Sequence, residues 1–146
     1  MLNYNQDDVN NMALCVWKEA RGEGEAGMLA VANVIVNRAL AWERAVSSPL
    51  HNVIYQRNQF SSMSISTDPE YNLQPQPGDA QYAYCLEMCP EVLTGESPDN
   101  TNGALYYANL SEVTSGWFRD VIAGSDGKGT VDHPLVAVVG KQSFYK

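Results

Sequence analysis

The chain has 146 residues, of which 45% are hydrophobic and 18% are charged, and its net charge is −8. This length and composition predict a single globular domain over residues 1–146 and exclude a disordered chain. Nine basic against seventeen acidic residues argue against nucleic acid as a partner, because such binding depends on neutralising phosphates. No apolar run reaches the roughly 18 residues of a membrane-spanning helix, so we expect no membrane span.

Two helices are predicted in the first third of the chain. Asp7 and Asp8 are placed to cap the first, whose apolar residues recur every three or four positions as far as Arg21. The second is predicted from Glu25 to about Glu43 and is apolar nearly all round, which indicates the centre of the core.

The remaining two thirds contain fewer regular signals. Residues 47–78 are rich in turn-forming residues and predict a long, irregular loop that could form one wall of a binding groove. A third helix is predicted from its cap at Asp79 to about Leu93. The segments Ala104–Ala108 and Leu135–Val139 are β-prone and predict a small sheet or hairpin.

The position of Glu19 on the first helix favours a catalytic acid. It lies four residues after Cys15 and seven after Met12, so it borders the apolar face of the helix. Partial desolvation there raises the pKa of a carboxyl, as a general acid requires. Taken alone, a glutamate at the end of a helix is more often a solvated edge residue.

Several short motifs recur in one order along nearly the whole chain. They are Glu19-Ala20-Arg21-Gly22-Glu23, the helical segment 31–38, and then the segments 53–56, 59–61, 92–95, 103–109, 139–140 and 144–145. This pattern resembles the SleB-type cell wall hydrolases, which include spore-cortex-lytic enzymes and phage-encoded lysins. The resemblance implies an α+β, lysozyme-like domain of the lytic transglycosylase kind, mainly helical, with a small sheet and a groove between. It also implies that Glu19 is catalytic and that peptidoglycan glycan strands are the substrate.

Other site residues follow from the same resemblance or, as for Trp117, from the stacking of aromatic rings on sugars. Tyr106 and Tyr107 match a tyrosine motif in which a phenol contacts the catalytic carboxyl, although packing within a strand is the alternative for each. The candidate substrate-binding residues are Gln59, Phe60, Asn109, Glu23 and Trp117. Of these, Phe60 is expected to pack in the core more than to contact a sugar, and Trp117 could equally belong to the core. Gln142 stands where the family usually has a histidine, and it can form hydrogen bonds but cannot titrate.

The chemistry can take two forms. A transglycosylase needs one carboxyl, which donates a proton to the leaving oxygen and then takes one from the muramic acid C6 hydroxyl. A lysozyme-type hydrolase needs a second carboxylate, for which the candidates are Glu23, Glu25, Asp68 and Glu70. We expect all four to be exposed to solvent, which favours the transglycosylase.

No cofactor or catalytic metal is expected, because the histidines are isolated and the three cysteines are predicted to be buried, reduced thiols. The sequence contains no recognisable wall-binding module, and its N-terminus lacks the pattern of a signal peptide. These features predict synthesis in the cytoplasm and action on the cell wall, with delivery by a phage. A catalytically inactive virion or wall-binding protein that contacts other virion proteins is the alternative from another class.

Overall fold

Five α-helices, a π-helix and a three-stranded sheet make up the described part of this computed structural model, which is residues 2–43, 46–56 and 59–146. The α-helices are α1 (Gln6–Ala20), α2 (Gly24–Trp42), α3 (Pro49–Tyr55), α4 (Ser61–Ser64) and α5 (Ala80–Thr94). The strands are β1 (Tyr106–Ala108), β2 (Leu135–Val139) and β3 (Gln142–Tyr145), and the π-helix is Phe118–Ala123.

The N-cap of helix α1 is Asn5, two residues before the first predicted cap, Asp7. Asn5 is the N-cap: its side chain accepts a hydrogen bond from the Asp8 amide, and the Asp8 side chain accepts one from the Asn5 amide. This reciprocal capping box satisfies two amides that the helix itself leaves free. The expectation therefore holds for Asp8, which takes part in the cap, but not for Asp7, and the N-cap residue itself is Asn5.

Helix α2 packs on both halves of the molecule, as its all-round apolar sequence predicted. Val31 and Ile35 belong to the large core cluster that α2 forms with α1, α3 and α5. Ala30 and Val34 belong to a second cluster, where they pack with Phe144 of the sheet. The helix therefore fixes the sheet relative to the other helices.

The segment 47–78, predicted as an irregular loop, contains two short helices. Pro49 occupies the first turn of α3, where its missing N–H is tolerated. Leu50, Val53 and Ile54 then follow the helical spacing and are buried. The turn signals outweighed this short periodic run in the sequence. Positions 57 and 58 of the predicted loop lie outside the described residues.

Helix α5 and two of the strands lie where the sequence predicted them. The Asp79 side chain accepts from the Tyr82 amide, and Gly95 ends the helix in the left-handed conformation. The sheet has the order β1-β3-β2 with antiparallel pairing throughout. Its central strand, β3, was not predicted, and neither was the π-helix.

Side chains of the sheet alternate between two buried faces. On β3, Phe144 packs toward α2, whereas Tyr145 packs with Ile122 and Ala123 of the π-helix. The result is a mainly helical α+β architecture with the sheet enclosed between a long helix and a short one. No helix of the described residues combines the length and the hydropathy that a bilayer crossing requires.

A glycine substitution tests the turn that leads into β2. Gly129 has a φ of +92°, and an added Cβ would lie 2.5 Å from the His133 carbonyl oxygen and the Leu135 amide. We expect Gly129→Ala to lower the free energy of unfolding by about 2 to 5 kcal/mol. Gly116→Ala is the matched control because nothing lies within 4 Å of its added Cβ. Equal denaturant midpoints for the two variants would contradict this account.

Candidate active site

Three elements meet at the carboxyl of Glu19, in the last turn of α1. The Ser62 hydroxyl donates a hydrogen bond of 2.7 Å to Glu19 Oε2, and the Tyr107 hydroxyl donates one of 3.1 Å to Oε1. Ser62 belongs to α4 and Tyr107 to β1. Each carboxyl oxygen therefore has a neutral donor from a different part of the fold.

The environment of Glu19 favours its protonated form. Burial raises the pKa of the Glu19 carboxyl above its ordinary value, and the negative charge of Asp68 raises it further. The hydrogen bonds from Ser62 and Tyr107 and the positive charge of Arg38 act in the opposite direction. Because burial is the largest effect, the carboxyl retains its proton to higher pH than an exposed glutamate. This is the property of a general acid.

The alternation of β1 separates the two candidate tyrosines. Tyr107 stacks on Phe144, with ring centroids 5.7 Å apart, and points to Glu19. Burial raises the pKa of the Tyr107 hydroxyl well above its ordinary value, so this group stays a hydrogen-bond donor. Tyr106 faces the other way, against Trp42 and His133, at centroid distances of 5.9 and 5.1 Å.

Ser62 is a member of the site that the sequence did not reveal. It is buried, and its backbone carbonyl accepts a hydrogen bond of 3.2 Å from Lys18 Nζ. The same ammonium donates to the Tyr71 carbonyl at 2.8 Å, so Lys18 joins α1 to α4 and to the loop that follows it. The available signal was position, since Ser62 immediately follows the family motif at residues 59–61.

Phe60 belongs to the core and not to a substrate-binding surface. It is 1% exposed within the main apolar cluster, and the Arg38 guanidinium lies 5.2 Å from its ring centroid. A ring with no accessible face cannot stack on a sugar, so the prediction that Phe60 binds substrate was wrong. Its neighbour Gln59 is partly exposed, and the Gln59 backbone N–H donates to the Gln56 backbone carbonyl.

The remaining predicted substrate-binding residues are not the hydrogen-bond partners of Glu19. Asn109 follows β1 and accepts from the amide and the hydroxyl of Ser111, which closes a turn. Glu23 is the N-cap residue of α2, and its amide donates to the Ala20 carbonyl. Trp117 is 58% exposed immediately before the π-helix, so its ring is accessible to a ligand.

The other acids near Glu19 are more ordered than the sequence suggested. Asp68 accepts a hydrogen bond of 2.5 Å from the Ser61 hydroxyl and one of 2.8 Å from the Glu70 amide, and both lower its pKa. Glu70 pairs with Arg21 at 2.5 Å. Asp68, Glu70 and Glu23 are only partly exposed, so full exposure was wrong for three of the four candidates, and Glu25 is the exposed one.

The described residues include no group of three or more His, Cys, Asp or Glu side chains that could hold a metal ion. The three cysteines are free and buried, as predicted. Burial raises the pKa of the Cys85 thiol to about 12, so it is not a reactive thiolate.

Comparisons with known proteins identify the family. Residues 22–125 match the model of the cell wall hydrolase family, so the chain belongs to that family. The spore cortex-lytic enzymes of Oceanobacillus iheyensis and Bacillus cereus are each 32% identical over 98% of this chain. The chain covers 43% and 46% of those two proteins, which is less than half of their length. The resemblance inferred from the motifs is confirmed.

Two solved structures share the fold. The catalytic domain of the germination-specific lytic transglycosylase SleB from Bacillus anthracis superposes with a TM-score of 0.69 at 28% identity. The match covers 98% of this chain and 97% of that domain. The SleB catalytic domain of Bacillus cereus gives a TM-score of 0.68 at the same identity. The α+β fold class that the motifs implied is confirmed.

The opposite orientations of the two tyrosines give a testable prediction. Tyr107→Phe removes the hydroxyl that contacts Glu19, so we expect it to lower kcat for wall cleavage by about 10- to 100-fold. Tyr106→Phe is the matched control, and its rate should stay within about 3-fold of the wild type. Equal losses in the two variants, measured by dye release from labelled peptidoglycan, would contradict the orientation of β1.

Proposed function

We propose that this chain cleaves the MurNAc–GlcNAc bond of peptidoglycan as a lytic transglycosylase and leaves 1,6-anhydro-MurNAc ends. The observation that carries the proposal is the setting of Glu19, a partly buried carboxyl held by two hydroxyl donors. The names of its relatives support the substrate class, because they are spore cortex-lytic enzymes and a germination-specific lytic transglycosylase.

In the first step, the protonated Glu19 donates its proton to the glycosidic oxygen as the bond to the muramic acid C1 breaks. The C1 centre becomes oxocarbenium-like, and the leaving GlcNAc keeps the proton on its new hydroxyl. Glu19 is then a carboxylate, and the two hydroxyl donors stabilise it.

In the second step, the Glu19 carboxylate takes the proton of the muramic acid C6 hydroxyl. The C6 oxygen attacks C1 and closes the anhydro ring, so no water is consumed. Glu19 is again protonated at the end of the cycle. Ser62 and Tyr107 hold the same two carboxyl oxygens in both steps, and one acid therefore serves as donor and acceptor.

A lysozyme-type hydrolase is the second candidate, with Asp68 as the additional carboxylate. Asp68 is the acid whose charge acts on the pKa of Glu19, and its own lowered pKa keeps it ionised. Both of its oxygens, however, already accept hydrogen bonds from Ser61 and Glu70. These bonds weaken Asp68 as a nucleophile, so we favour the mechanism that needs one carboxyl.

Substrate contacts outside the cleavage point are also proposals. Gln59, Asn109, Glu23 and Trp117 remain our candidates for contacts to the glycan strand, and Trp117 offers the most exposed ring. We further propose that the protein acts on the cell wall. We also propose that it is a phage product, either delivered to the wall or carried in the phage particle. Contacts with other virion proteins belong to that same proposal.

Replacing the acid tests the proposed function directly. Glu19→Gln keeps the shape and hydrogen-bonding capacity of the side chain but cannot donate the proton, so we expect kcat to fall by about 100- to 10,000-fold. The melting temperature should not fall. Glu25→Gln, at an exposed position in the first turn of α2, is the control and should retain activity. A wild-type protein that binds wall suspensions without reducing their turbidity would point to the inactive, wall-binding alternative.

The products distinguish the two mechanisms. We expect mass spectrometry of digested peptidoglycan to show muropeptides that end in 1,6-anhydromuramic acid and are lighter by one water than reducing-end products. The reason is that the C6 hydroxyl, and not water, completes the reaction. Products with reducible ends alone would refute the transglycosylase mechanism. Asp68→Asn would then be the variant that identifies the second carboxylate.

A further inference from the structure

Arg38 is a buried cation that forms no ion pair with an acid in the described part of the chain. It lies on α2 and is 5% exposed, and its Nε donates a hydrogen bond of 2.7 Å to the Leu105 carbonyl. Its Nη1 is buried and has no hydrogen-bond partner among the described residues. The ion pair found in the described part of the chain joins Arg21 to Glu70 and does not involve Arg38. A buried charge is normally paired, so this exception requires an explanation.

The contacts of Arg38 join the two segments that deliver donors to Glu19. Its guanidinium lies 5.2 Å from the ring centroid of Phe60, which precedes Ser62 by two residues. Its hydrogen-bond acceptor, Leu105, precedes Tyr107 by two residues. Arg38 therefore contacts the chain immediately before each of the hydroxyls that hold the acid.

The rings around Arg38 exclude water from it without neutralising it. Besides Phe60, the guanidinium lies 5.5 Å from the ring centroid of Trp42 and 6.0 Å from that of Tyr106. Aromatic faces attract a guanidinium but leave its net charge unchanged. Since arginine stays protonated in proteins, a full positive charge is fixed in the interior among these rings.

We propose that Arg38 is a positioning residue that aligns the segments carrying Ser62 and Tyr107 and supplies the fixed charge that stabilises Glu19 when it is ionised. This inference rests on the proposed function, in which Glu19 becomes a carboxylate after its first proton transfer. A partly buried carboxylate needs such a charge, because little water is available to solvate it. An acidic partner for Arg38 would cancel the effect.

The charge of Arg38 acts on Glu19 together with groups from several elements. Cys15 faces Glu19 from α1, Tyr107 from β1 and Asp68 from the loop after α4. Asp68 raises the pKa of Glu19, whereas Arg38 lowers it. Arg38 is the cation whose charge opposes that of Asp68, so removing it should raise the pKa of Glu19 and favour its protonated form.

The test is the pH profile of kcat/KM for Arg38→Met. Activity needs the protonated Glu19, so the alkaline limb reports its ionisation in the free enzyme. Loss of the positive charge should move that limb upward by about one pH unit and lower kcat by about 10-fold. A folded variant whose limb stays in place, or moves downward, would overturn the proposal. If Arg38→Met does not fold, Arg38→Gln carries the same test, because it keeps an N–H donor without the charge.

Two further variants separate charge from geometry. Arg38→Lys keeps the charge but loses the planar donor of the Leu105 carbonyl, so its limb should stay within about 0.3 pH units while kcat falls. Arg119→Met is the control, because Arg119 also donates to a carbonyl beside β1, that of Leu110, but is exposed. Neither its limb nor its kcat should change. An equal shift of the limb in Arg38→Met and Arg119→Met would show a general effect of net charge and would overturn the proposal.

A measurement without substrate keeps this inference separate from the proposed function. The ionisation of the Glu19 carboxyl can be followed by its side-chain carbon chemical shift in NMR, in the wild type and in Arg38→Met. The midpoint should rise in the variant by the same amount as the kinetic limb. If the wild-type protein cleaves no peptidoglycan but the midpoint still rises in Arg38→Met, the electrostatic role of Arg38 stands and the proposed activity is rejected. If the wild-type protein is active but the midpoint is the same in Arg38→Met, the proposed activity stands and the role of Arg38 is rejected.

Discussion

The two hydrogen bonds that Glu19 accepts draw together parts of the chain that are far apart in sequence. Ser62 lies 43 residues away and Tyr107 lies 88 residues away. The first contact needs α4 to pack on α1, and the second needs the sheet to pack against the helices. The acid is therefore assembled by the tertiary fold, and the packing of Phe144 beneath Tyr107 becomes part of the site. A change in the sheet reaches Glu19 through this stacked pair even where it is remote from any substrate.

The same arrangement opposes stability at higher pH. Burial raises the pKa of Glu19 in the folded state, so its contribution to stability is fully present below the unfolded pKa and is lost as the pH rises through the folded pKa. Asp68 behaves oppositely, since its pKa is lowered by hydrogen bonds and its contribution is lost as the pH falls through the folded value. Glu19 thus limits the stability of α1 at high pH, and Asp68 limits the stability of its loop at low pH. A protein selected for stability alone would exchange Glu19 for an apolar residue.

The sequence predicted the parts of this structure that depend on local pattern. Helices α1, α2 and α5 follow from periodic apolar residues and end signals, and the partly buried position of Glu19 follows from its place beside an apolar face. Ser62 could not be predicted, because a serine in a turn-rich segment has no periodic signal and its role arises from a contact across the fold. Strand β3 is similar: Gln142–Tyr145 is short, and only its two neighbours in the sheet make it a central strand. Phe60 was listed as a substrate-binding candidate because of its place in a motif. A motif position does not show whether a ring lines a groove or is buried in the core.

The geometry also explains why a family motif around Glu19 is contiguous. The Lys18 ammonium donates to the Ser62 carbonyl, so the residue before Glu19 positions one of the donors to Glu19. Arg21 donates to the carbonyls at the end of α1 and pairs with Glu70, which fixes the loop that contains Asp68. Gly22 then leaves the helix with a φ of +89°, a conformation that other residues rarely adopt. One helical turn thus supplies the acid, the support of its donor and the anchor of its neighbouring loop. Because these contacts start from neighbouring residues, the end of α1 connects Glu19 to α4 and to the loop that contains Asp68.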